Sequence, residues 1–303
     1  MSDLGAALRT ATARLTAAGV PSARHDAESL AAHVLGLTRA QVATAAARGD
    51  DVELGTAFAD LVDERARRVP LQHLVGTAPF RDLVLDVGPG VFVPRPETES
   101  VAEPVVVEAR RLMARGHTPL VLDLCTGSGA IALAVATEVP GADVRAVERS
   151  PEAHAWAARN VARLAPGTDL RLGDAATAFA DLDGTVDVVV SNPPYVPPGS
   201  VPVDPEVRDH DPEVALYGGG PDGLAVPRQV VVAAARLLRA GGLLVVEHAD
   251  VQQAALLRAL ATSGEWAHAQ GHRDLTGRPR FVTARRASSP RAAPEPGSGR
   301  IGT

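Results

Sequence analysis

Four consecutive residues, Asn192-Pro193-Pro194-Tyr195, carry the most specific chemistry in this 303-residue sequence. They follow the run Val186 to Ser191, whose β-branched residues predict a strand, so they stand at its carboxyl end. A primary amide, or an exocyclic amine on a conjugated ring, is a poor nucleophile because its lone pair is delocalised. A protein helps such a group chiefly by fixing its direction, and two hydrogen-bond acceptors suffice. The Asn192 side-chain oxygen and the Pro193 carbonyl can each take one N–H of a flat NH2 group. No strong base is needed beforehand, since the nitrogen becomes acidic only as its new bond forms. The paired prolines stiffen the loop and remove two backbone donors, while Tyr195 can pack against a planar group. An ordinary Pro-Pro turn is the plain alternative, and it loses weight because of what lies upstream.

Upstream, Val121-Leu122-Asp123-Leu124-Cys125-Thr126-Gly127-Ser128-Gly129-Ala130-Ile131-Ala132 reads as a buried strand, a glycine turn and a helix start in succession. Gly127 and Gly129 let the backbone approach a ligand closely. Glu148 ends the following strand, about 20 residues on, where a carboxylate can accept hydrogen bonds from ribose hydroxyls. The spacing Gly127-x-Gly129-x-x-Ala132 suits a dinucleotide as well as S-adenosylmethionine, so alone it speaks only of adenosine. Asp123 favours S-adenosylmethionine, because an acidic residue just before the turn can position the methionine amino group. After the third strand, Asp174 and Ala175 place a carboxylate near an adenine amine, although a solvated turn aspartate explains Asp174 equally well. Asn192 borders cofactor and substrate alike.

These residues need a rigid support, and the apolar pattern supplies one. From Leu120 onward, runs at Leu120 to Leu124, Asp143 to Val147, Leu170 to Leu172, Val186 to Val190 and Leu243 to Glu247 alternate with helical segments. The helices are expected at Ala130 to Glu138, Pro151 to Leu164, Leu224 to Arg239 and Val251 to Thr262. That rhythm predicts an α/β fold with a parallel sheet covered on both faces. Weaker strands near Glu265 to Gly271 and Arg280 to Ala284 would complete the sheet, the last of them antiparallel. Before this region, Asp3 to Arg68 shows helical spacing broken into four or five short helices. Between Leu71 and Val93, alternation around Gly76 and Gly88-Pro89-Gly90 predicts a hairpin linker. The expected division is a helical domain over 1–69, a β-hairpin linker over 70–96, a catalytic domain over 97–287 and a disordered tail over 288–303.

Composition narrows the partners. With 36 acidic against 30 basic side chains the formal net charge is −6, the opposite of a phosphate-binding footprint, so nucleic acid is not an expected partner. The single cysteine, Cys125, excludes an intramolecular disulfide and any multi-cysteine zinc site. No close His/Cys/Asp cluster surrounds His73 or His248, so no metal is expected. Met1 to Gly5 has neither a basic nor an apolar leader, and no long uncharged apolar stretch follows. The expectation is a cytoplasmic monomer with no membrane contact.

At this point the sequence resembles the HemK/PrmC family of protein N5-glutamine methyltransferases, which modify the Gly-Gly-Gln tripeptide of bacterial peptide-chain release factors. Besides Asn192 to Tyr195, the resemblance rests on Pro70 to Gly76, Val93-Pro94-Arg95-Pro96-Glu97-Thr98-Glu99, Pro212 to Gly219 and Asp274 to Arg280. It covers nearly the whole chain. It implies a Rossmann-like, seven-stranded S-adenosylmethionine methyltransferase domain with a small helical N-terminal substrate-recognition domain and a β-hairpin linker. It further implies that Cys125 to Gly129 and Glu148 contact the cofactor, that Asn192 to Tyr195 hold the glutamine amide, and that Arg95 and Glu97 shape the site. Cys125, often glycine in relatives, and Ala175, where an aromatic residue can cover adenine, are departures. A glutamine methyltransferase of a ribosomal protein, a DNA adenine methyltransferase acting on a flipped base and a non-catalytic cofactor binder are the rivals.

Overall fold

The computed structural model describes residues 2–288. Apart from Ser288, the tail expected over 288–303 lies outside the described residues. Four helices, α1 Leu4–Ala17, α2 Ala23–Leu35, α3 Arg39–Arg48 and α4 Gly55–Ala66, form the amino-terminal bundle. Their inward faces share one apolar core that includes Leu4, Leu15, Leu30, Val42, Phe58 and Val62. Thr38 and Gln41 start α3 with a reciprocal capping box, which satisfies backbone donors that a helix leaves orphaned at its first turn.

The hairpin is shorter than the alternation suggested. Leu71–Val75 is a one-turn helix, α5, because Pro70 can open a helix and Gly76 ends it in the left-handed conformation at φ 76°. The hairpin itself pairs Thr77–Phe80 with Leu83–Asp86. A helix the sequence reading did not assign follows it, α6 Glu99–Met113, with Val101, Ala102, Val105, Val106, Ala109 and Leu112 buried. Pro104 lies inside that helix, where a proline ordinarily argues for a break.

The central sheet has seven strands: β1 Leu120–Leu124, β2 Asp143–Glu148, β3 Asp169–Leu172, β4 Val186–Ser191, β5 Leu238–Glu247, β6 Trp266–Arg273 and β7 Pro279–Arg286. Their spatial order is β3-β2-β1-β4-β5-β7-β6. The first five are mutually parallel, and β7 lies antiparallel between β5 and β6, as expected for the last strand. Helices α7 Ala130–Glu138 and α8 Pro151–Leu164 match the sequence expectation to the residue. Two short helices, α9 Pro205–His210 and α10 Glu213–Leu216, precede α11 Ala225–Leu237 and α12 Gln253–Thr262. The expected helix Leu224 to Arg239 therefore ends two residues early, because β5 begins at Leu238 and passes a bulge opposite Val186 to Val188.

Alternate residues of each central strand face opposite layers. Val121, Val188, Val190 and Val245 pack under α6 and α7, while Leu122, Leu124, Val189 and Leu244 pack under α11 and α12. Burial on both faces explains why these strands read as continuous apolar runs rather than as alternation.

The bundle is tied to the rim of the sheet by charge. Glu206 on α9 accepts from Arg65 at 2.7 Å and from Arg68 Nε at 2.7 Å, and Arg65 also donates to Asp26 at 2.7 Å. The two guanidinium groups hold the Glu206 carboxyl down at about 2 despite burial. Its contribution to stability is thus present above the ordinary glutamate range and lost only as pH falls toward 2. Glu206→Gln should lower stability by about 2 kcal/mol at neutral pH, since it leaves the buried Arg65 and the largely buried Arg68 short of a partner. Urea unfolding at pH 7 checks this, and an unchanged midpoint would contradict it.

Candidate active site

The chain winds from β1 through β2 to β3 on one side, then returns through β4 and β5 on the other. The order therefore reverses between β1 and β4, and in open parallel sheets ligands bind beyond the carboxyl ends of strands at that reversal. Leu124 and Ser191 are register partners there, so the glycine turn after β1 and the Asn192 loop after β4 leave the sheet side by side. A cavity of about 460 Å³ opens between them. Asp123, Cys125, Thr126, Gly127, Ser128, Glu148, Asp174, Ala175, Asn192, Pro193, Pro194, Tyr195, Arg95 and Glu97 all line it. Gly129 alone among the expected residues does not; it caps α7 at φ 88°, where an added Cβ would come 3.0 Å from Leu133.

At the nucleotide end, Gly127 stands at φ 59° with its N–H donating to Glu148 Oε2 at 2.8 Å. The other Glu148 oxygen accepts from the N–H groups of Arg149 and Ser150, both at 2.8 Å. Glu148 thus shapes the turn while keeping acceptor capacity toward the cavity. Burial raises its pKa, and these three backbone donors work against the rise. Asp123 is almost fully buried, and its Oδ2 accepts from Thr126 Oγ1 at 2.6 Å and from Ala132 N–H at 3.1 Å. Its Oδ1 has no partner among the described residues, and burial pushes the carboxyl up to about 7. An unsatisfied carboxylate oxygen on a cavity wall fits an ammonium group, and the open glycine turn beside Glu148 fits a ribose. S-adenosylmethionine carries both groups, so the residues present suit it.

Cys125 takes φ 67°, a left-handed conformation that explains why glycine suits this position better. Burial pushes its thiol up to about 12, which leaves it unionised and inert. Asp174 is exposed, and its Oδ1 accepts from Ala176 N–H at 2.9 Å, so it serves its own turn while bordering the cavity.

The reacting end is held by residues the sequence reading did not assign. Asn192 Nδ2 donates to Thr98 Oγ1 at 3.3 Å, which leaves Asn192 Oδ1 as the free acceptor. Among the described residues no donor reaches the Pro193 carbonyl either. Tyr195 OH donates to Glu247 Oε1 at 3.2 Å, and the Tyr195 carbonyl accepts from Gln252 Nε2 at 2.7 Å. Gly218 and Gly223 back the loop so closely that a Cβ on either would fall 2.8 Å or less from Tyr195 backbone atoms. That contact gives a physical reason for glycine at the end of the Pro212 to Gly219 segment. Arg95 donates to Asp211 at 2.5 Å and lies 4.8 Å over the Phe92 ring, so its charge is already balanced. Asn160 on α8 links hairpin to turn, donating to the carbonyls of Asp86 at 2.9 Å and Ser128 at 3.0 Å.

The strand order, with the glycine turn and the Asn192 loop side by side on one cavity, is that of an S-adenosylmethionine-dependent methyltransferase. The sequence matches the PrmC N-terminal domain over residues 6–76 and the methyltransferase small domain over residues 107–203. It is 51% identical over 288 residues to the release factor glutamine methyltransferase of Streptomyces coelicolor, covering 95% of this chain and 99% of that protein. The corresponding protein of Mycolicibacterium smegmatis is 50% identical over 290 residues, with 94% and 99% covered. The chain belongs to the release factor glutamine methyltransferase family. A further relative, 42% identical over 271 residues with 88% and 90% covered, is the 4-amino-L-phenylalanine/4-methylamino-L-phenylalanine methyltransferase of Streptomyces pristinaespiralis. Among the described residues no helix is long and apolar enough to cross a membrane.

Proposed function

We propose that this chain methylates the side-chain amide nitrogen of the glutamine in the Gly-Gly-Gln tripeptide of peptide-chain release factors. The observation that carries the reading is the pair of free acceptors, Asn192 Oδ1 and the Pro193 carbonyl, beside a cavity suited to the cofactor. Bound S-adenosylmethionine supplies a methyl group made electrophilic by the adjoining sulfonium. Asn192 and Pro193 take the two N–H groups of the amide and aim its nitrogen lone pair along the cavity. Tyr195, fixed at its hydroxyl and its carbonyl, covers the flat face of the amide. Cys125 to Ser128, Glu148, Asp174 and Ala175 hold the nucleoside, Asp123 the amino group, and Arg95 and Glu97 the mouth. The net charge of −6 favours a protein partner over nucleic acid. A monomer acting in the cytoplasm completes the proposal.

The test is to incubate the protein with methyl-labelled cofactor and, separately, release factor, ribosomal protein, duplex DNA and 4-amino-L-phenylalanine. Mass spectrometry then locates the label. Label on the Gly-Gly-Gln glutamine is expected; label on a ribosomal protein, an adenine or the free amino acid instead would redirect the assignment.

Asp123 adds a pH dependence. Because its folded pKa is raised to about 7, its contribution to the stability of the free protein is full below the ordinary aspartate value and lost as pH rises through about 7. A bound ammonium favours the ionised form, so cofactor binding should release a proton below pH 7 and tighten as pH rises. Calorimetry in buffers of different ionisation enthalpy measures that proton. Asp123→Asn should abolish the dependence and weaken binding about tenfold. A binding constant that does not vary between pH 6 and 8 would remove Asp123 from the role.

A further inference from the structure

The Asn192 loop can aim a substrate nitrogen only as well as its own backbone is aimed. Ser191 is locked into the sheet at one end of the loop. Val196 is locked at the other, its N–H donating to the Leu216 carbonyl at 2.8 Å and its carbonyl accepting from Gly218 N–H at 3.0 Å. The rings of Pro193 and Pro194 fix two φ angles between those points. Few soft dihedrals remain, so whatever holds the Tyr195 carbonyl also bears on the direction of the Pro193 carbonyl two peptides earlier.

One side chain holds it. Gln252, at the N-cap of α12, is 5% exposed, and its Nε2 donates to the carbonyls of Tyr195 at 2.7 Å and Asp222 at 2.8 Å. Its Oε1 accepts from Ala249 N–H at 2.9 Å, which fixes the way the amide points. A flipped amide would set its NH2 against the Ala249 N–H and its oxygen against two carbonyls. Both Nε2 protons are therefore committed, one to the Asn192 loop and one to the segment that runs on into Gly223. An added Cβ at Gly223 would collide with the Tyr195 carbonyl oxygen, so that segment packs directly against the same peptide. No other donor among the described residues reaches a carbonyl of Asn192 to Tyr195. Gln252 itself does not line the cavity. We propose that Gln252 is a positioning residue for methyl transfer: by dividing its two amide protons between the Tyr195 and Asp222 carbonyls, it holds the Asn192 loop where its acceptors meet the substrate nitrogen. A glutamine that served only the start of α12 would stabilise the fold and leave the chemistry alone.

This inference rests on the reading of the Asn192 loop as the grip on the amide. Gln252→Met keeps the length of the side chain and removes both donors. At saturating cofactor its kcat on release factor should fall about tenfold, with cofactor Kd within about twofold of wild type. Gln252→Glu adds a readout that packing alone does not move. Its carboxylate can accept from Ala249 but has no proton for either carbonyl, whereas the protonated form can donate to one of them. A carboxyl buried against two carbonyls ionises well above the ordinary glutamate range. The ratio of this variant's kcat to that of wild type should therefore rise about tenfold from about pH 9 to about pH 6. A Gln252→Met enzyme of wild-type kcat would overturn the proposal, and so would a loss of cofactor affinity as large as the loss of kcat. If the methionine variant does not fold, a Gln252→Glu ratio that stays flat across that range overturns it instead. Asn192→Ala, measured alongside, keeps the two readings apart. Loss of turnover in Asn192→Ala together with any of those results leaves the functional reading standing and this inference refuted, whereas full turnover in Asn192→Ala sinks both.

Discussion

Asn192→Ala is expected to slow methyl transfer by at least about 10³-fold while changing cofactor affinity by less than about threefold. That factor corresponds to about 4 kcal/mol of lost transition-state stabilisation. The expectation follows from how little else the site offers the nitrogen. Of the two free acceptors, the Pro193 carbonyl can hold one N–H, but a single contact leaves the amide free to rotate about it. The lone pair of a planar amide is then seldom aligned for attack. The groups proposed to hold the cofactor, in contrast, are the turn at Gly127, Glu148 and Asp123, and none of them hydrogen-bonds to the Asn192 side chain. Single-turnover transfer of label to release factor gives the rate, and calorimetry gives the affinity. A rate within about tenfold of wild type would show that the second acceptor is dispensable.

The parts of the fold that were legible from sequence are those whose residues carry one unambiguous signal. β1 and β4 are buried on both sides, so Leu120 to Leu124 and Val186 to Ser191 stand out as apolar runs. The turn after β1 and the loop after β4 announce themselves by glycine and proline. Where two signals compete, the pattern misleads. Pro104 masks the strongly amphipathic α6, and the polar Arg239-Ala240-Gly241-Gly242 stretch masks the first half of β5. Leu71–Val75 shows no helical signal because five residues are too few to display a helical period.

The same division runs through the site. Residues on the glycine turn and in the Asn192 loop are neighbours in sequence, and their chemistry can be read from spacing. Their supports are neighbours only in space. Thr98 lies 94 positions from Asn192, and Gln252 lies 57 from Tyr195. Glu247 was visible as a carboxylate ending a strand, but nothing in a single sequence connects it to a tyrosine 52 positions away. Thr98 was at least present in the Pro94 to Glu99 segment that carried the family resemblance.

Glu148 shows how the folded arrangement alters an expectation drawn from sequence. Read as a ribose acceptor alone, its replacement would only weaken the cofactor. In the structure the carboxylate also accepts from three backbone N–H groups, those of Gly127, Arg149 and Ser150. Glu148→Ala should therefore raise the cofactor Kd about 100-fold, from the loss of charge-assisted hydrogen bonds to ribose and of the turn that aims them. It should also lower the stability of the free protein by about 1 kcal/mol, because water can enter and satisfy some of the freed donors. The informative comparison is Glu148→Gln. Glutamine preserves size, yet its amide can present oxygen to only one side: either Gly127 N–H, or the pair at Arg149 and Ser150, must then face an NH2. That donor-to-donor contact is unavoidable in either rotamer, so glutamine should bind cofactor no better than alanine and be less stable than wild type. Turnover at saturating cofactor should remain within about threefold in both variants, since the lost interactions are shared by ground and transition states. A glutamine variant with wild-type affinity would mean that the carboxylate's charge and its hold on the turn contribute nothing, and the cofactor side of the site would need another anchor.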